Sequence, residues 1–576
     1  MLNFYTFNEI DTETAVIRAA ASCSTKRANR LWRGYAASEP ACFVETRVLR
    51  GALNGWIAAA VLLWSVGGSG CSNNSTHRSE GGNDATGYGE VDGNTGGSAG
   101  GNAGGNTGNT AGDTGGNTSG NAAGNTDSGS DGDTEGDGEV DGDGEVEVDP
   151  YAPPDKYGPP GPYAEAFQKS LYFYDANMSG IDVTGGRLRW RGNSEVTDYA
   201  VPLFCNGQNP ESSNCTNMSD EYIRKYIHVF DPDGIGTINV GGGFHDCGDH
   251  IKFGLPQAYS ASMLAWSIFE FPESFIKSGQ APHALDILRR FTNYFLRSTF
   301  RERDGRVIAF CHQVGVGSID HNYWGPPELQ KVEDFPRPAW FATEEIPGAD
   351  VTAAASAALT LASLVFRFQD LVYADRCLDT AKALYEFAAA YPGTANNGGF
   401  YASEYEWDDL AWAAIWLHIA TGETRYLEDI VSEEGNRYTG WLGHIIPTKA
   451  NGWYNAWTHC WNTVWTGMFI KLAQVTRDQR WIRIADDNAN LWSGLEGSMG
   501  ISPGGLTWLT GWGSLRYTTA AIMTTLLWGR LTGKTDAYLD WAQSQFDYIT
   551  GDNPLGKSFV VGFGDEWPVH IHHRAA

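Results

Sequence analysis

Apolar residues recur at helical spacing between residues 163 and 550, separated by loops rich in Gly, Pro, Trp and Asn. A repeat of about 3.6 residues is typical of a helix with one buried face. No alternating β-branched runs recur at the spacing of a β-sandwich, and no fixed-period repeat of the solenoid type is present. The pattern therefore predicts an all-α body. Its eleven predicted helices are 163–175, 257–271, 283–299, 350–368, 374–391, 408–421, 424–432, 458–475, 479–494, 516–532 and 535–550.

A long apolar run precedes this body at Trp56–Val66. Its 11 residues are too few to span a bilayer comfortably. They suit the apolar part of an export signal, because Arg47 and Arg50 lie just upstream and small residues follow. Cys71 comes next, in a pattern that resembles a bacterial lipoprotein signal, although the third residue before it is a glycine. We therefore expect residues 1–71 to be an export leader with lipidation at Cys71; a buried core helix is the alternative.

Residues 72–149 have low complexity, and 81–140 alone contain 21 glycines. Such a tract cannot bury enough apolar surface to offset its chain entropy, so we predict a disordered acidic linker. Its repeated D-x-D-G pattern could indicate calcium loops. However, no glutamate stands at the twelfth position of a helix-flanked loop. A solvated spacer is the better interpretation.

The chain of 576 residues carries a net charge of −29, and its distribution excludes one class of partner. Residues 80–149 hold 16 acidic residues and no Lys or Arg, and residues 150–576 carry −16. A nucleic-acid-binding protein needs a basic surface, which is missing here. Among the nine cysteines there is no C-x-x-C pair. Cys205 and Cys215 could form a disulfide in an oxidising compartment or remain free thiols.

The most specific local motif is GGGFHDCGDHIKFGLP, which places Asp246 and Asp249 in one glycine-rich turn ahead of a helix. Two carboxylates in one turn can orient a water and accept its proton, which is the base half of an inverting glycoside hydrolysis. Metal binding by both aspartates with His250 is a competing interpretation. A turn without function is the third.

Two further segments combine hydrogen-bond donors with aromatic residues, SIDHNYWGPPE and the C-terminal HHR. Neutral sugars are held by hydrogen bonds to their hydroxyls and by aromatic faces, so such segments suit a sugar site. Most of the 22 tryptophans are nevertheless expected to be core residues. The candidates for sugar contact are His321, Tyr323, Trp324, His572, His573 and Arg574.

From Tyr163 to the C-terminus the order of motifs resembles glycoside hydrolase family 9, the inverting endoglucanases. The motifs are YAEAFQKSLYFYDANMSG, RLRWRGNS, DCGD, DHNYWGPPE, PRPAW, WDDLAWAAIWLHIATG, THCW, GGLTWLTGWGSLRY, GDNPLGKSFVVGFG and HHR. The resemblance implies an (α/α)6 barrel of helical hairpins over residues 150–576. It also implies hydrolysis of internal β-1,4-glucosidic bonds with inversion and without a required cofactor.

The same resemblance implies the roles of individual residues. Asp249 would be the general base and Asp246 would hold the attacking water. His572 and Arg574 would contact the sugars that flank the cleavage point. His321 and Trp324 would line the cleft, with His573 and Tyr323 as further contacts.

Several positions depart from the family pattern. The usual DAGD is DCGD here, which keeps both acids, and an unusually long insertion occupies about 195–240. Some members bind calcium where this chain reads SEYEWDDL. Asp408 and Asp409 match that site in part, with a spacing one residue longer, and Asn462 stands where an acid often helps. Structural calcium is therefore a possibility.

The family's general acid is a glutamate some tens of residues after HHR, so we expect it beyond residue 576. The same stretch would supply the twelfth helix, so we expect a barrel incomplete by about one helix. Glu566 is a poor substitute because it precedes the HHR cluster. The expected protein is a monomeric, secreted or surface-anchored bacterial cellulase that binds β-glucan and contacts membranes only through its lipid. A hydrolase of another β-glucan and a non-catalytic glucan-binding protein are the alternatives.

Overall fold

The computed structural model describes residues 162–395, 399–449 and 456–575. The predicted leader, Cys71 and the 72–149 linker lie outside the described residues, so those assignments stay predictions.

All eleven predicted helices are present, and we number them α1 to α11. Their bounds are α1 Pro162–Ala176, α2 Gly254–Glu270, α3 Ala281–Ser298, α4 Ala349–Phe366, α5 Leu371–Ala390, α6 Trp407–Thr421, α7 Arg425–Ile430, α8 Trp465–Thr476, α9 Gln479–Ser493, α10 Ser514–Thr532 and α11 Thr535–Thr550. Five short helices and three 3₁₀ turns accompany them: Pro210–Ser213, Asp220–Lys225, Ile227–Phe230, Pro272–Lys277, Gly317–Asp320, Val196–Tyr199, Pro327–Leu329 and Trp441–His444.

One predicted boundary is wrong, because α8 begins at Trp465 and not at 458. The backbone groups of Cys460 and Thr463 bond to each other in both directions, at 2.9 and 3.0 Å. This local turn uses the donors and acceptors that a helix would need, so the segment before Trp465 is a loop.

The helices form two layers. The inner layer contains α2, α4, α6, α8 and α10, each packed against the next. On its outside α3 packs on α2, α5 on α4, α7 on α6, α9 on α8 and α11 on α10, while α1 packs on α3. This is the arrangement of an (α/α)6 barrel, as predicted, and the described residues supply five of its inner helices.

The inner position of α4 explains its composition. Its 18 residues have a mean hydropathy of 1.6, enough in length and apolarity to cross a membrane. All of them except Leu364 are buried within the barrel. A helix surrounded by protein on every side is apolar all round. The outer α3 differs, because it exposes Asp286 and Asn293 on one face and buries Phe291 and Phe295 on the other.

A four-stranded antiparallel sheet was not predicted. We number its strands β1 Lys252–Phe253, β2 Thr299–Arg301, β3 Val307–Val314 and β4 Ala339–Thr343, and β3 pairs with the other three. Every residue of β3 is buried. A strand covered on both faces has no polar alternation, so its sequence gives no period of two. Shorter pairs join Val201–Pro202 to Thr237–Ile238, Ser432–Glu434 to Arg437–Thr439 and Gly500–Ile501 to Thr507–Trp508.

The insertion at about 195–240 packs on this sheet through a hydrophobic cluster that includes Tyr222, Phe230 and Phe341. Cys205 and Cys215 form a disulfide with their Cα atoms 5.2 Å apart. The sequence allows either a disulfide or two free thiols at these positions, and the structure shows the disulfide.

Candidate active site

The turn that carries both candidate aspartates lies between a glycine triplet and β1, just before α2. Gly242 and Gly243 have φ angles of 83° and 77°, and a Cβ on Gly243 would lie 2.7 Å from the ring of Tyr294. Only glycine fits such a combination of positive φ and close packing. The backbone N–H of Asp246 donates to the carbonyl of Ile251 at 2.9 Å, which closes the turn.

Asp246 is half-buried, and its carboxylate is held at both oxygens. Oδ1 accepts hydrogen bonds from the backbone N–H groups of Cys247 at 2.6 Å and Gly248 at 3.3 Å. Oδ2 accepts a hydrogen bond from the hydroxyl of Tyr401 at 2.5 Å. These donors fix the plane of the carboxylate.

Asp249 is almost fully buried, with 1% of its surface exposed. Its Oδ1 accepts the N–H of Ile251 at 3.0 Å, and its Oδ2 lies 3.4 Å from His321 Nδ1. Burial raises the pKa of Asp249 well above its ordinary value, and the negative charges of Asp246 and Asp320 add to this effect. A carboxylate with a raised pKa is a stronger base, which suits proton abstraction from water.

Tyr401 is a candidate site residue that the sequence analysis missed. Its ring is buried, 5.0 Å from the ring of Phe253 and 5.0 Å from that of Trp461. Burial raises the pKa of Tyr401 well above its ordinary value, and the adjacent Asp246 raises it further. The phenol therefore stays neutral and acts as a donor. Its positive φ of 48° is uncommon for a non-glycine residue and occurs preferentially at functional sites.

Arg574 ties three loops together. Its backbone N–H donates to Cys247 O at 2.8 Å, its Nε to Gly248 O at 2.5 Å and its Nη2 to His321 O at 3.0 Å. The guanidinium lies over the ring of Trp324, 4.0 Å from its centre. The structure thus gives Arg574 protein carbonyls as partners, and its expected contact with a sugar stays a prediction.

His572 lies between two exposed tryptophans. Its ring centre is 5.5 Å from that of Trp324 and 6.1 Å from that of Trp512. Burial lowers the pKa of His572, and the charge of Arg574 lowers it further, so the ring is neutral at pH 7. Trp512 was not singled out from the sequence, because one tryptophan in a glycine-rich loop looks like many others.

The geometry so far brings Asp246, Asp249, His321, His572 and Arg574 into one region, from positions as far apart as 246 and 574. Residues 163–576 match the sequence profile described as Glycosyl hydrolase family 9. The chain belongs to glycosyl hydrolase family 9. The resemblance stated from the motifs is thereby confirmed.

Proteins named endoglucanases are similar to a large part of the chain. Endoglucanase 4 of Bacillus sp. strain KSM-522 is 34% identical in an alignment of 433 residues, and the match covers 72% of this chain and 59% of that protein. The endoglucanase of Dictyostelium discoideum is 32% identical in an alignment of 421 residues, and the match covers 72% of this chain and 52% of that protein. The chain therefore spans about half to three fifths of the length of these relatives.

A solved structure agrees. The catalytic domain of Clostridium thermocellum CelT has 40% sequence identity and a TM-score of 0.63, and the match covers 72% of this chain and 84% of that one. The (α/α)6 fold seen here is thus the fold of family 9.

Two residues expected at the family 9 sugar site have other contacts. His573 is buried, with its ring 5.8 Å from that of Phe173, and burial lowers its pKa to about 4. The hydroxyl of Tyr323 donates to Pro326 O at 2.9 Å within its own loop. Both side chains contribute to packing and loop shape.

A pocket opens beside the turn and reaches Asp246 and Tyr401. Most of its wall is aromatic and includes Phe173, Tyr259 and Trp461. With a volume of about 60 Å³, the pocket admits water beside the Asp246 carboxylate.

The expected calcium site lies at the start of α6, where Asp408 and Asp409 are buried. The carboxylate of Asp408 accepts the N–H of Val464 at 2.8 Å, and burial raises the pKa of Asp408 to about 7. Asn462 Oδ1 accepts a hydrogen bond from the thiol of Cys460 at 2.8 Å. Across 162–395, 399–449 and 456–575, no group of three or more His, Cys, Asp or Glu residues is placed to hold a metal ion. Structural calcium at this position stays a prediction.

Proposed function

We propose that this family 9 chain is an endoglucanase that hydrolyses internal β-1,4-glucosidic bonds of cellulose with inversion. The observation that carries the proposal is the pair of aspartates on one turn. Burial raises the pKa of Asp249 well above its ordinary value, and the charges of Asp246 and Asp320 add to this effect, which suits Asp249 to the role of base. Asp246 is oriented by Tyr401 and by two N–H groups of its own turn.

The pair supports the first half of an inverting displacement. A water held by Asp246 loses a proton to Asp249, and its oxygen attacks the anomeric carbon on the face opposite the leaving group. The bond from that carbon to the glycosidic oxygen breaks, and the leaving oxygen takes up a proton. No described residue is given the role of donor of this proton.

Substrate binding is proposed along the exposed faces of Trp324 and Trp512. Sugar rings present C–H faces that pack on aromatic rings, and the neutral His572 between the two tryptophans can donate to or accept from a hydroxyl. Cel9M of Clostridium cellulolyticum has 35% identity to this chain and a TM-score of 0.59, and its structure has been solved in complex with cellobiose. This supports a cello-oligosaccharide as the ligand.

The test uses 2,4-dinitrophenyl β-cellobioside, because dinitrophenolate leaves without being protonated and the base can be examined by itself. We expect dinitrophenolate release, with α-cellobiose as the first product by proton NMR. β-Cellobiose as the first product would exclude inversion. Binding of cellotetraose without any release would favour the glucan-binding alternative. Faster cleavage of xyloglucan or mixed-linkage glucan than of carboxymethylcellulose would favour another β-glucan as substrate.

We also propose that the protein is exported and attached to lipid at Cys71, with 72–149 as a spacer between membrane and enzyme. The disulfide between Cys205 and Cys215 supports export, because disulfides persist in oxidising compartments. Mass spectrometry of the mature N-terminus should find a diacylglyceryl cysteine at position 71. Cleavage at another bond would leave secretion without an anchor.

A further inference from the structure

Both backbone polar groups of His250, the residue after the proposed base, are held by buried side chains. Its N–H donates to Asp320 Oδ1 at 2.7 Å, and its carbonyl accepts from Arg337 Nη1 at 2.9 Å. The same Nη1 lies 3.7 Å from the other carboxylate oxygen of Asp320. One residue downstream of Asp249, the chain is therefore fixed at two points.

The guanidinium of Arg337 is held in turn by a residue of the insertion at about 195–240. Its Nε donates to Asp198 Oδ1 at 2.7 Å and its Nη2 to Asp198 Oδ2 at 3.0 Å, a paired geometry that sets the plane of the guanidinium. Asp198 lies in the 3₁₀ turn Val196–Tyr199, at the start of the insertion. Lys252 Nζ lies 2.7 Å from Asp198 Oδ2, so this carboxylate has two cationic partners.

The lowered pKa of Asp198 agrees with its two cationic partners. Burial by itself would raise the pKa of Asp198, but Arg337 and Lys252 outweigh burial and hold it below its ordinary value. The carboxylate is therefore ionised when Arg337 is present. Because Asp198 keeps Lys252 as a partner, removing Arg337 does not leave the Asp198 carboxylate without a cation.

We propose that Arg337, oriented by Asp198, is a positioning residue for the general base. It holds the carbonyl of His250, one residue after Asp249, and so keeps the base carboxylate aligned with Asp246. Arg574 holds the carbonyls of residues 247 and 248, and Arg337 holds that of residue 250. The inference rests on the proposed function, since it gives Arg337 a part in the orientation of a catalytic base.

The alternative is that Arg337 only stabilises the fold, as many buried ion pairs do. Lys471 offers a matched control. It is a buried cation 2.8 Å from Glu270, and Glu270 keeps Arg530 at 2.9 Å when Lys471 is removed. Glu270 ends α2, about 24 Å along the helix axis from its first residue next to the turn. Arg337→Met and Lys471→Met therefore each replace a buried cation with methionine, the first near the turn and the second far from it.

Amide hydrogen exchange of the segment 246–252 is measured first, in the full chain. We expect exchange at least about 10-fold faster in Arg337→Met and unchanged in Lys471→Met, at matched thermal stability. Arg337→Lys should give an intermediate rate, because it keeps a donor and loses the paired geometry. Equal exchange in wild type and Arg337→Met would overturn the proposal.

Kinetics with 2,4-dinitrophenyl β-cellobioside follow. We expect kcat of Arg337→Met to fall roughly 10- to 100-fold with KM nearly unchanged, since small misplacements of a reacting group cost about this much. Lys471→Met should keep the wild-type kcat. Faster exchange with an unchanged kcat would show that the contact does not serve the base. If the wild type releases no dinitrophenolate, the proposed function fails, while exchange alone still decides whether Arg337 holds the turn.

Discussion

Replacing Tyr401 with phenylalanine removes the hydrogen bond that its hydroxyl donates to Asp246 Oδ2. The ring contacts with Phe253 and Trp461 do not involve the hydroxyl, so Tyr401→Phe should fold normally. Asp246 keeps the two N–H donors of its own turn but loses the one that fixes Oδ2.

The expected loss of kcat/KM in Tyr401→Phe follows from the strength of a hydrogen bond to a charged carboxylate. A hydrogen bond to a charged group contributes about 1.5–3 kcal/mol. At about 1.4 kcal/mol for each factor of ten, its full loss would lower kcat/KM about 10- to 150-fold. The pocket beside Tyr401 can admit a water that partly replaces the hydroxyl. We therefore expect a loss near the lower end, roughly 10- to 30-fold.

Tyr385→Phe is the matched control. Tyr385 is buried and donates to Asp429 Oδ2 at 2.8 Å, between α5 and α7. The same chemical change is made there outside the proposed site. Rates of dinitrophenolate release are compared at saturating and limiting substrate, together with the melting temperatures of both variants. Activity of Tyr401→Phe within twofold of wild type, or an equal loss in Tyr385→Phe, would refute the assigned role.

Three other predictions concern stability and binding. Asp408→Asn should stabilise the protein at pH 8 by up to a few kcal/mol in urea unfolding. Burial raises the pKa of Asp408 to about 7 in the folded protein. The stability of the wild type therefore falls as the pH rises from about 4 to about 7, and the loss persists above that range. An equal pH dependence in variant and wild type would contradict this. Replacing Cys205 and Cys215 with serine should lower the free energy of unfolding by about 2.5–3 kcal/mol, because their disulfide closes a loop of 10 residues, and should leave activity near normal. An unchanged urea midpoint would contradict this prediction. Trp324→Ala should weaken cellotetraose binding about 5- to 10-fold in calorimetry with kcat retained, and unchanged affinity would remove Trp324 from the binding face.

A helix such as α3 could be predicted because burial of one face leaves a 3.6-residue pattern in the sequence. The proximity of Asp246 and Asp249 could be predicted because both lie in one short turn. The four-stranded sheet could not be predicted, because β3 is buried on both faces and its sequence does not alternate between apolar and polar residues.

The partners of the aspartates were harder to predict. Tyr401 reaches Asp246 from 155 positions away, and its loop has no motif that singles out this tyrosine. The carbonyl partners of Arg574 depend on how three loops meet, and a sequence does not contain that information. Arg337 was visible only as part of a family motif, without any indication that its guanidinium reaches His250.

The identity of the general base is the central claim, and Asp249→Ala tests it most directly. The variant is assayed on 2,4-dinitrophenyl β-cellobioside with and without sodium azide, an anionic nucleophile that needs no base, and the exposed Asp304→Ala is the control. We predict a fall in rate of about 10²- to 10⁴-fold, restored by azide with α-cellobiosyl azide as the product, and full activity of the control. Near-normal activity of Asp249→Ala without azide, or formation of the β-azide, would contradict the account.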